Sequence, residues 1–311
     1  AARSAGTDVR GATMYVTLEP CCHHGKTPPC TDAIIDAGIG RVVVAMTDPD
    51  EQVAGGGIEK LRAAGIDVTV GVRRAEASDL LAAYIKLRTQ HRPWVICKWA
   101  QTADGFLALP AGSGRWISGE ESRSYTHKLR GLCDGICVGI GTVLADDPLL
   151  TNRSGGRQPA RVVLDAAMRI PAGCQLIRTA NTSPVIIATT AKSQADRTTP
   201  AADLRAAGAE ILELPAAPNG VDLAALLDEL GGRRWTHLLV EGGAKLLESF
   251  LQAHLVDELL VFISPQSVGK SASPLPRFDI ADARKKLPLK QMEHRRFGDD
   301  AMFRYVLREP G

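Results

Sequence analysis

The segment GIGTVLADDPLLTNR occupies residues 139–153, directly after the apolar residues 135–138. An apolar run that ends in glycines is typical of a buried parallel strand, at whose carboxyl end the backbone can approach a ligand. Similar runs of Val, Ile and Leu predict further strands at 94–98, 161–164, 184–188, 237–240 and 259–263. This part of the chain is therefore predicted to be an α/β domain with a largely parallel sheet.

Residues 11–72 also alternate strand and helix patterns. The predicted strands are 14–18, 41–45 and 68–70, and the predicted helices are 31–37 and 58–64. A further helix is predicted at 75–90. Residues 91–93, His-Arg-Pro, then predict a linker. Because 311 residues exceed what one hydrophobic core usually organises, we expect two α/β domains, residues 1–91 and 92–311.

Composition and charge exclude several classes of protein. Apolar residues make up 45% and charged residues 23% of the chain, so we expect packed cores rather than disorder. The net charge is +2 and the densest basic run is only 284–286, which predicts no nucleic-acid partner. No apolar stretch is long enough to span a membrane, and residues 1–10 lack a signal-peptide pattern, so we expect a cytoplasmic protein. Seven cysteines predict reduced thiols or metal ligands.

A candidate zinc site lies in residues 17–30, TLEPCCHHGKTPPC. Cys21 and Cys30 each follow a proline, and Cys30 begins a predicted helix, whose N-terminal dipole favours a thiolate. Two isolated cysteines would more often be buried small residues. The whole run, however, resembles the cytidine-deaminase superfamily, and within it the riboflavin-pathway deaminase, which has eight residues between its zinc cysteines. The resemblance implies that Cys21 and Cys30 bind Zn²⁺ and that Cys22 does not.

This resemblance also implies an upstream H-A-E motif, which supplies the third zinc ligand and the catalytic glutamate. The motif would fall just before Ala1, and the chain begins without Met, which suggests a fragment. His23 or His24 could serve as a third ligand, whereas Glu19 is not placed as the missing acid. We expect a truncated cytidine-deaminase-like three-layer α/β/α domain that binds zinc weakly or not at all and lacks deaminase activity. Ammonia release would refute this expectation, and a degenerate scaffold stays an alternative.

Four segments of the second domain resemble the reductase of the same riboflavin-pathway family, which has a dihydrofolate-reductase-like α/β fold. They are KWAQTADG at 98–105, GRWIS at 114–118, the 139–153 segment and HLLVEGGAKL at 237–246. Gly114 stands where the family has a serine that touches the substrate. The resemblance implies that NADPH reduces a pyrimidine ribosyl phosphate, with hydride added to the sugar C1 of a ring-opened imine.

Residue roles follow from the resemblance and from chemistry. The expected catalytic residues are Lys98, Asp146 and Glu241. The expected substrate-binding residues are Arg130, Leu150, Arg153 and Glu241, with the arginines as phosphate ligands because guanidinium groups match phosphate oxygens. The expected cofactor-binding residues are Ala100, Trp116, Thr142, Asp146, Gly243, Ala244, Lys245 and Leu246. Bare N–H groups at a helix start near Gly243 suit phosphates.

Simpler interpretations stay open for several of these residues. Arg130 could be a solvated helix residue, Trp116 a core residue, and Gly243 part of a tight turn. Asp104 is expected to cap a turn with Gly105. Ser118 and Glu121 have the spacing of a capping box, which predicts a helix from there to about residue 132.

Other features of the reductase are less defined by the sequence. Arg169 and Lys192 are only guesses for an NADPH 2′-phosphate ligand. A zinc deaminase of nucleosides or nucleic acid would have a C-x-x-C spacing and a basic groove, so the sequence disfavours it. We expect a homodimer or higher homo-oligomer. The enzymatic interpretation requires the segments around 98, 142 and 241 to converge in one pocket.

Overall fold

The computed structural model describes residues 6, 8–25, 27–51, 53–110, 112–114, 116–190, 200–269 and 275–307, with the backbone alone at 282, 284, 286 and 290–292. The chain divides into two compact units, Ala1–His91 (unit 1) and Arg92–Gly311 (unit 2). None of the helices in the described ranges combines the length and apolar character needed to cross a membrane.

Unit 1 contains a three-stranded parallel sheet in the order β1-β2-β3. Its strands are β1 (Thr13–Val16), β2 (Arg41–Val44) and β3 (Asp67–Val70), and its helices are α1 (Cys30–Asp36), α2 (Gly56–Ala63), α3 (Arg74–Leu80) and α4 (Ala82–Gln90). Ile34 of α1 and Leu61 of α2 pack on the buried valines of β2 and β3. The apolar alternation of the sequence therefore buries one continuous core in this unit.

The prediction of one helix over 75–90 is wrong, because two helices, α3 and α4, meet at Leu81. Leu81 has φ −100° and ψ 10°, outside the helical region. Its side chain packs with Ile85 against Ala45, Met46 and Ala77. Tertiary packing at this residue thus overrides the local helix preference.

Unit 2 contains a nine-stranded sheet in the order β13-β14-β12-β4-β11-β5-β6-β7-β8. The seven strands from β12 to β8 are parallel, and β14 and β13 add antiparallel pairs at one edge. The elements of this unit, in chain order, are β4 (Trp94–Gln101), α5 (Glu120–Leu132), β5 (Gly135–Gly139), α6 (Ile140–Asp146), β6 (Ala160–Leu164), α7 (Gln175–Arg178), β7 (Val185–Thr190), α8 (Ala201–Ala206), β8 (Ala209–Leu214), β9 (Ala216–Ala217), β10 (Gly220–Val221), α9 (Leu223–Gly232), β11 (His237–Glu241), α10 (Ala244–Gln252), β12 (Glu258–Ile263), α11 (Ile280–Lys286), β13 (Leu289–Phe297) and β14 (Asp300–Leu307). All of the strands predicted for this part of the sequence are present.

The sheet of unit 2 is covered by helices on both faces, because its strands are apolar on both sides. Ile96 and Leu239 belong to the core beneath α5 to α8. Val95 and Leu238, the preceding residues of the same strands, belong to the opposite core beneath α9 to α11. Alternate residues of a strand point to opposite faces, so Lys98 and Glu241 lie on the α5 side of the sheet.

The predicted capping box is also wrong. α5 begins at Glu120, and its N-cap residue is Gly119, which has no side chain to cap it. The cap comes instead from Asp300 of β14, whose carboxylate accepts hydrogen bonds from the Gly119 N–H at 2.8 Å and the Ser122 hydroxyl at 2.5 Å. Glu121 accepts a hydrogen bond from the Gly298 N–H. A carboxylate that is distant in the sequence thus replaces the local cap.

Candidate active site

The candidate site lies at the carboxyl ends of β4, β11 and β5. β11 lies between β4 and β5, and Glu241 at the end of β11 is the register partner of Lys98 on β4. On the other side of β11, β5 ends at Gly139 and leads directly into α6, which carries Thr142. The three segments that must converge for an enzymatic function therefore reach the same edge of the sheet. In open α/β sheets, ligands bind in the crevice at such a point.

Arg130 and Glu241 form a largely buried ion pair at this edge of the sheet. The Arg130 Nε and Nη2 atoms donate to the two carboxylate oxygens at 2.8 and 2.9 Å. The side chains are only 14% and 13% exposed. Burial would raise the pKa of Glu241, but the charge and hydrogen bonds of Arg130, together with Lys98, lower it to about 2. Glu241 is therefore ionised throughout the physiological pH range.

Lys98 is the second cation of this cluster. Burial, reinforced by the charge of Arg130, lowers the pKa of Lys98 below its usual value, although Glu241 opposes this change. The Lys98 Nζ lies 5.4 Å from the centre of the Phe262 ring, a distance at which an ammonium and an aromatic face attract each other. With Lys98 and Arg130 protonated and Glu241 ionised, these three side chains carry one net positive charge.

His127 belongs to the same cluster and was not identified from the sequence. Its Nδ1 atom lies 3.0 Å from the Thr151 carbonyl oxygen, which also accepts a hydrogen bond from the Arg130 Nη1 at 3.2 Å. Burial and the charge of Arg130 lower the pKa of His127. The signal that could have revealed it is the spacing of three residues between His127 and Arg130, which places both on one helix face.

The segment 147–153 carries the other expected substrate residues. Leu150 is buried and adopts a left-handed backbone conformation, with φ 53°. Arg153 is exposed, and no described residue forms an ion pair with it. Asp146 is exposed at the end of α6, and no hydrogen bond joins it to Lys98 or Glu241, although the structure describes all three. The structure thus brings Lys98, Arg130 and Glu241 together and leaves Asp146 outside their hydrogen bonds.

The expected cofactor residues lie around the same edge of the sheet. α10 begins at Ala244 after Gly243, a residue without a side-chain cap, and no atom lies within 4 Å of the position that a Gly243 Cβ would occupy. Lys245 is exposed, Leu246 and Thr142 are partly buried, and Ala100 packs against the core on the α5 side of the sheet. The start of α10 therefore has no side-chain cap, and the space beside Gly243 is open.

Trp116 is 56% exposed, which excludes its interpretation as a core residue. The guanidinium carbon of Arg123 lies 5.3 Å from its ring centre. Of the two residues guessed as 2′-phosphate ligands, Arg169 is exposed and Lys192 lies outside the described residues.

Asp104 stabilises the local structure through its carboxylate. Its carboxylate accepts hydrogen bonds from the Thr102 and Ser267 hydroxyls and from the backbone N–H groups of Val268 and Gly269. The hydrogen bond from Thr102 lowers the pKa of Asp104 most, and those from Gly269, Ser267 and Val268 add to the effect. Asp104 therefore holds residues 267–269 in place by hydrogen bonds. It also forms the expected turn with Gly105.

Comparison with known proteins places this site in a family. The sequence model of the RibD C-terminal domain matches residues 93–303, more than half of the chain. The chain belongs to the RibD family of riboflavin biosynthesis proteins. The model of the cytidine and deoxycytidylate deaminase zinc-binding region matches residues 1–46.

Individual members of the family match most of the chain. The RibD protein of Aquifex aeolicus is 40% identical over 298 residues, which cover 95% of this chain and 81% of that protein. The RibD protein of Escherichia coli is 37% identical over 289 residues, covering 88% and 76%. Each match extends across both units of the chain, in agreement with a two-part family architecture.

Solved structures give the same result. Acinetobacter baumannii RibD matches with a TM-score of 0.83 at 32% identity, covering 99% of this chain and 84% of that chain. A diaminohydroxyphosphoribosylaminopyrimidine deaminase/5-amino-6-(5-phosphoribosylamino)uracil reductase from Thermotoga maritima matches with a TM-score of 0.80 at 33% identity, covering 99% and 82%. These matches confirm the predicted fold class, a deaminase-like α/β domain followed by a reductase α/β domain.

The candidate zinc half-site lies at the start of α1. The Cys30 N–H donates to the Cys21 Sγ at 3.3 Å. The hydrogen bond between the two side chains, with burial and charge repulsion, raises the pKa of Cys30. Two thiols in such close contact lose their protons readily only when a bound cation neutralises the thiolates that form. The arrangement of Cys21 and Cys30 therefore fits a zinc ion. Among the described residues no group of three or more potential ligands is present, and His23 and His24 do not complete one.

Glu19 is buried and fully engaged. Its carboxylate accepts hydrogen bonds from the N–H groups of Asp48, Gly55, Gly57 and Ile58, at 2.8 to 3.1 Å. Glu19 therefore joins the start of α2 to the 17–30 segment.

Proposed function

We propose that unit 2 catalyses the NADPH-dependent reduction of the ribosyl chain of 5-amino-6-(5-phosphoribosylamino)uracil to the ribityl form. The observation that carries this proposal is the buried cluster of Lys98, Arg130 and Glu241 at the carboxyl edge of the sheet. A cluster of ionised side chains in a crevice, with shifted pKa values and next to an open helix start, is typical of an active site.

Each charged residue of the cluster has a distinct proposed task. Glu241 stays ionised and accepts hydrogen bonds from the hydroxyl or amine groups of the substrate. Lys98, whose pKa is lowered, holds the proton that the reacting substrate takes up. Arg130 is already bound to Glu241, so we assign it the orientation of that carboxylate rather than phosphate binding. We therefore assign the binding of the substrate phosphate to Arg153, with Leu150 beside it.

The start of α10 fits the phosphates of NADPH. Gly243 and Ala244 lack side chains that could compete for the helix N–H groups, and the helix dipole favours an anion there. NADPH, when bound, supplies the hydride. We propose that the residues bordering the bound NADPH are Trp116, Ala100 and Thr142. Asp146 is proposed to contribute at the rim of the site.

We further propose that unit 1, in the intact protein with a complete deaminase site, performs the zinc-dependent hydrolytic deamination of 2,5-diamino-6-(5-phosphoribosylamino)pyrimidin-4-one. Cys21 and Cys30 would hold the metal, which activates water when bound. The match of residues 1–46 to the deaminase zinc-binding region favours this enzymatic interpretation over a degenerate scaffold. All seven cysteines are free thiols, which supports the proposed cytoplasmic location. We also propose that the protein forms a homodimer or a higher homo-oligomer.

The test of the reductase is NADPH oxidation by the full chain with the deaminated ribosylamino-uracil phosphate. Glu241→Gln should lower kcat/KM on the order of a hundredfold, and Arg153→Ala should mainly raise KM for the phosphate-bearing substrate. Arg205→Ala, an exposed arginine of α8, is the matched control. If neither Glu241→Gln nor Arg153→Ala reduced activity, the site assignment would be wrong. Ammonia release by an intact protein with a complete deaminase site, compared with its Cys30→Ser variant, tests the deaminase separately.

A further inference from the structure

His127 and Arg130 hold one carbonyl group between them. They are three residues apart on α5 and therefore lie on the same helix face. Both ring and guanidinium reach the Thr151 carbonyl oxygen, at 3.0 and 3.2 Å. A carbonyl oxygen can only accept hydrogen bonds, so the Nδ1 atom of His127 must carry the proton in this contact.

The segment that these two residues hold has a strained backbone. Asp147 and Leu150 have φ values of 39° and 53°, in the left-handed region that side chains rarely adopt. Such conformations persist only where surrounding contacts over-determine them. Here the backbone of Asp147 is held by Gln175, and the Leu149 carbonyl by the buried Arg161.

These anchors occupy successive points of one short loop. Thr151 lies directly after the buried Leu150 and two residues before Arg153, the exposed cation to which we assign the substrate phosphate. The Arg130 guanidinium that binds Thr151 also binds both oxygens of Glu241. The position of Arg153 relative to Glu241 is therefore set through α5.

We propose that His127 is a positioning residue of the reductase: with Arg130 it holds the Thr151 carbonyl, and it thereby fixes the 147–153 loop that presents Leu150 and Arg153 to the substrate. This inference rests on the proposed function for its kinetic consequence, but not for its effect on the loop. The side chain acts through its Nδ1–H, so an asparagine, whose amide N–H₂ occupies a similar position, should replace it.

The first test is hydrogen–deuterium exchange of the full chain without ligand. His127→Ala should speed exchange in peptides that cover 147–153 on the order of tenfold. His127→Asn should restore slow exchange, and Lys128→Ala, the exposed neighbour on α5, should not change it. Unchanged exchange in His127→Ala would overturn the inference. If His127→Ala does not fold, His127→Leu, which keeps the volume but lacks the donor, takes its place.

The second test is kinetic. His127→Ala should raise KM for the phosphate-bearing substrate on the order of tenfold, with kcat and the KM for NADPH nearly unchanged. The double variant His127→Ala/Arg153→Ala should equal Arg153→Ala alone, because the first change acts through the second residue. If the two changes instead multiplied each other's effect on KM, the inference would be overturned. If the wild type oxidised no NADPH, the proposed function would fail and the exchange result would decide the role of His127.

Discussion

Replacing Glu241 by glutamine should destabilise unit 2 because it leaves two cations without their anion. The carboxylate is paired bidentately with Arg130, and the two side chains are 13% and 14% exposed, so solvent screens the pair little. The lowering of the Glu241 pKa from 4.5 to about 2 corresponds to about 3 kcal/mol of stabilisation at neutral pH. Breaking a buried ion pair by removing one partner costs about 3 to 5 kcal/mol. Both arguments give a loss of about 3 kcal/mol.

The sign of the pH dependence follows from the same values. Glu241 has a lowered pKa in the folded state, so its contribution is fully present above the unfolded-state pKa of 4.5. The contribution is lost as the pH falls through about 2. The difference in unfolding free energy between wild type and Glu241→Gln should therefore shrink from about 3 kcal/mol at pH 7 to about 1 kcal/mol at pH 3.

Urea unfolding followed by tryptophan fluorescence measures this difference in unit 2, because all four tryptophans lie there. Glu210→Gln is the matched control. Its carboxylate is also paired with an arginine, Arg233, but the two side chains are 46% and 28% exposed, so the loss should stay below about 1 kcal/mol. A loss in Glu241→Gln no larger than in this control, or one that does not depend on pH, would refute the reasoning.

Three further changes test other parts of the fold. Gly243→Val should raise the KM for NADPH about tenfold without changing the melting temperature, because its Cβ meets no atom within 4 Å but fills the space that we assign to a phosphate. Asp300→Ala should lower the unfolding free energy by about 1 to 2 kcal/mol, as measured by urea unfolding, because α5 loses its cap. Glu19→Ala should destabilise unit 1 by about 3 kcal/mol or more, as measured by hydrogen exchange in α2, because four N–H groups lose their acceptor.

The strands of this chain could be predicted from the sequence because each is a local pattern. Short runs of Val, Ile and Leu that are bounded by turn residues are typical of strands buried on both faces of a parallel sheet. Lys98 and Glu241 could be expected to lie near each other for the same reason. Both end such runs, and the carboxyl ends of parallel strands share one edge of the sheet.

The partners of these residues could not be predicted in the same way. Arg130 meets Glu241 across 111 positions of sequence, and Asp300 caps α5 across 181 positions from Gly119. Neither contact produces a periodicity or a local motif. The capping-box spacing at Ser118 and Glu121 was present but not used, because a better-placed carboxylate was available from β14.

The pairing of Arg130 with Glu241 changes how the site must work. From the sequence alone, each residue had its own task, phosphate binding for the arginine and chemistry for the glutamate. In the structure three of the five guanidinium N–H donors are used, two by Glu241 and one by the Thr151 carbonyl, so the Nε–Nη2 edge offers no bidentate face to a phosphate. We therefore propose that the substrate phosphate binds Arg153 on the 147–153 loop, and a loop held in one conformation would keep that cation at a fixed distance from Glu241 and Lys98. In this proposal binding and chemistry are joined through α5, whose His127 and Arg130 contact both the loop and Glu241.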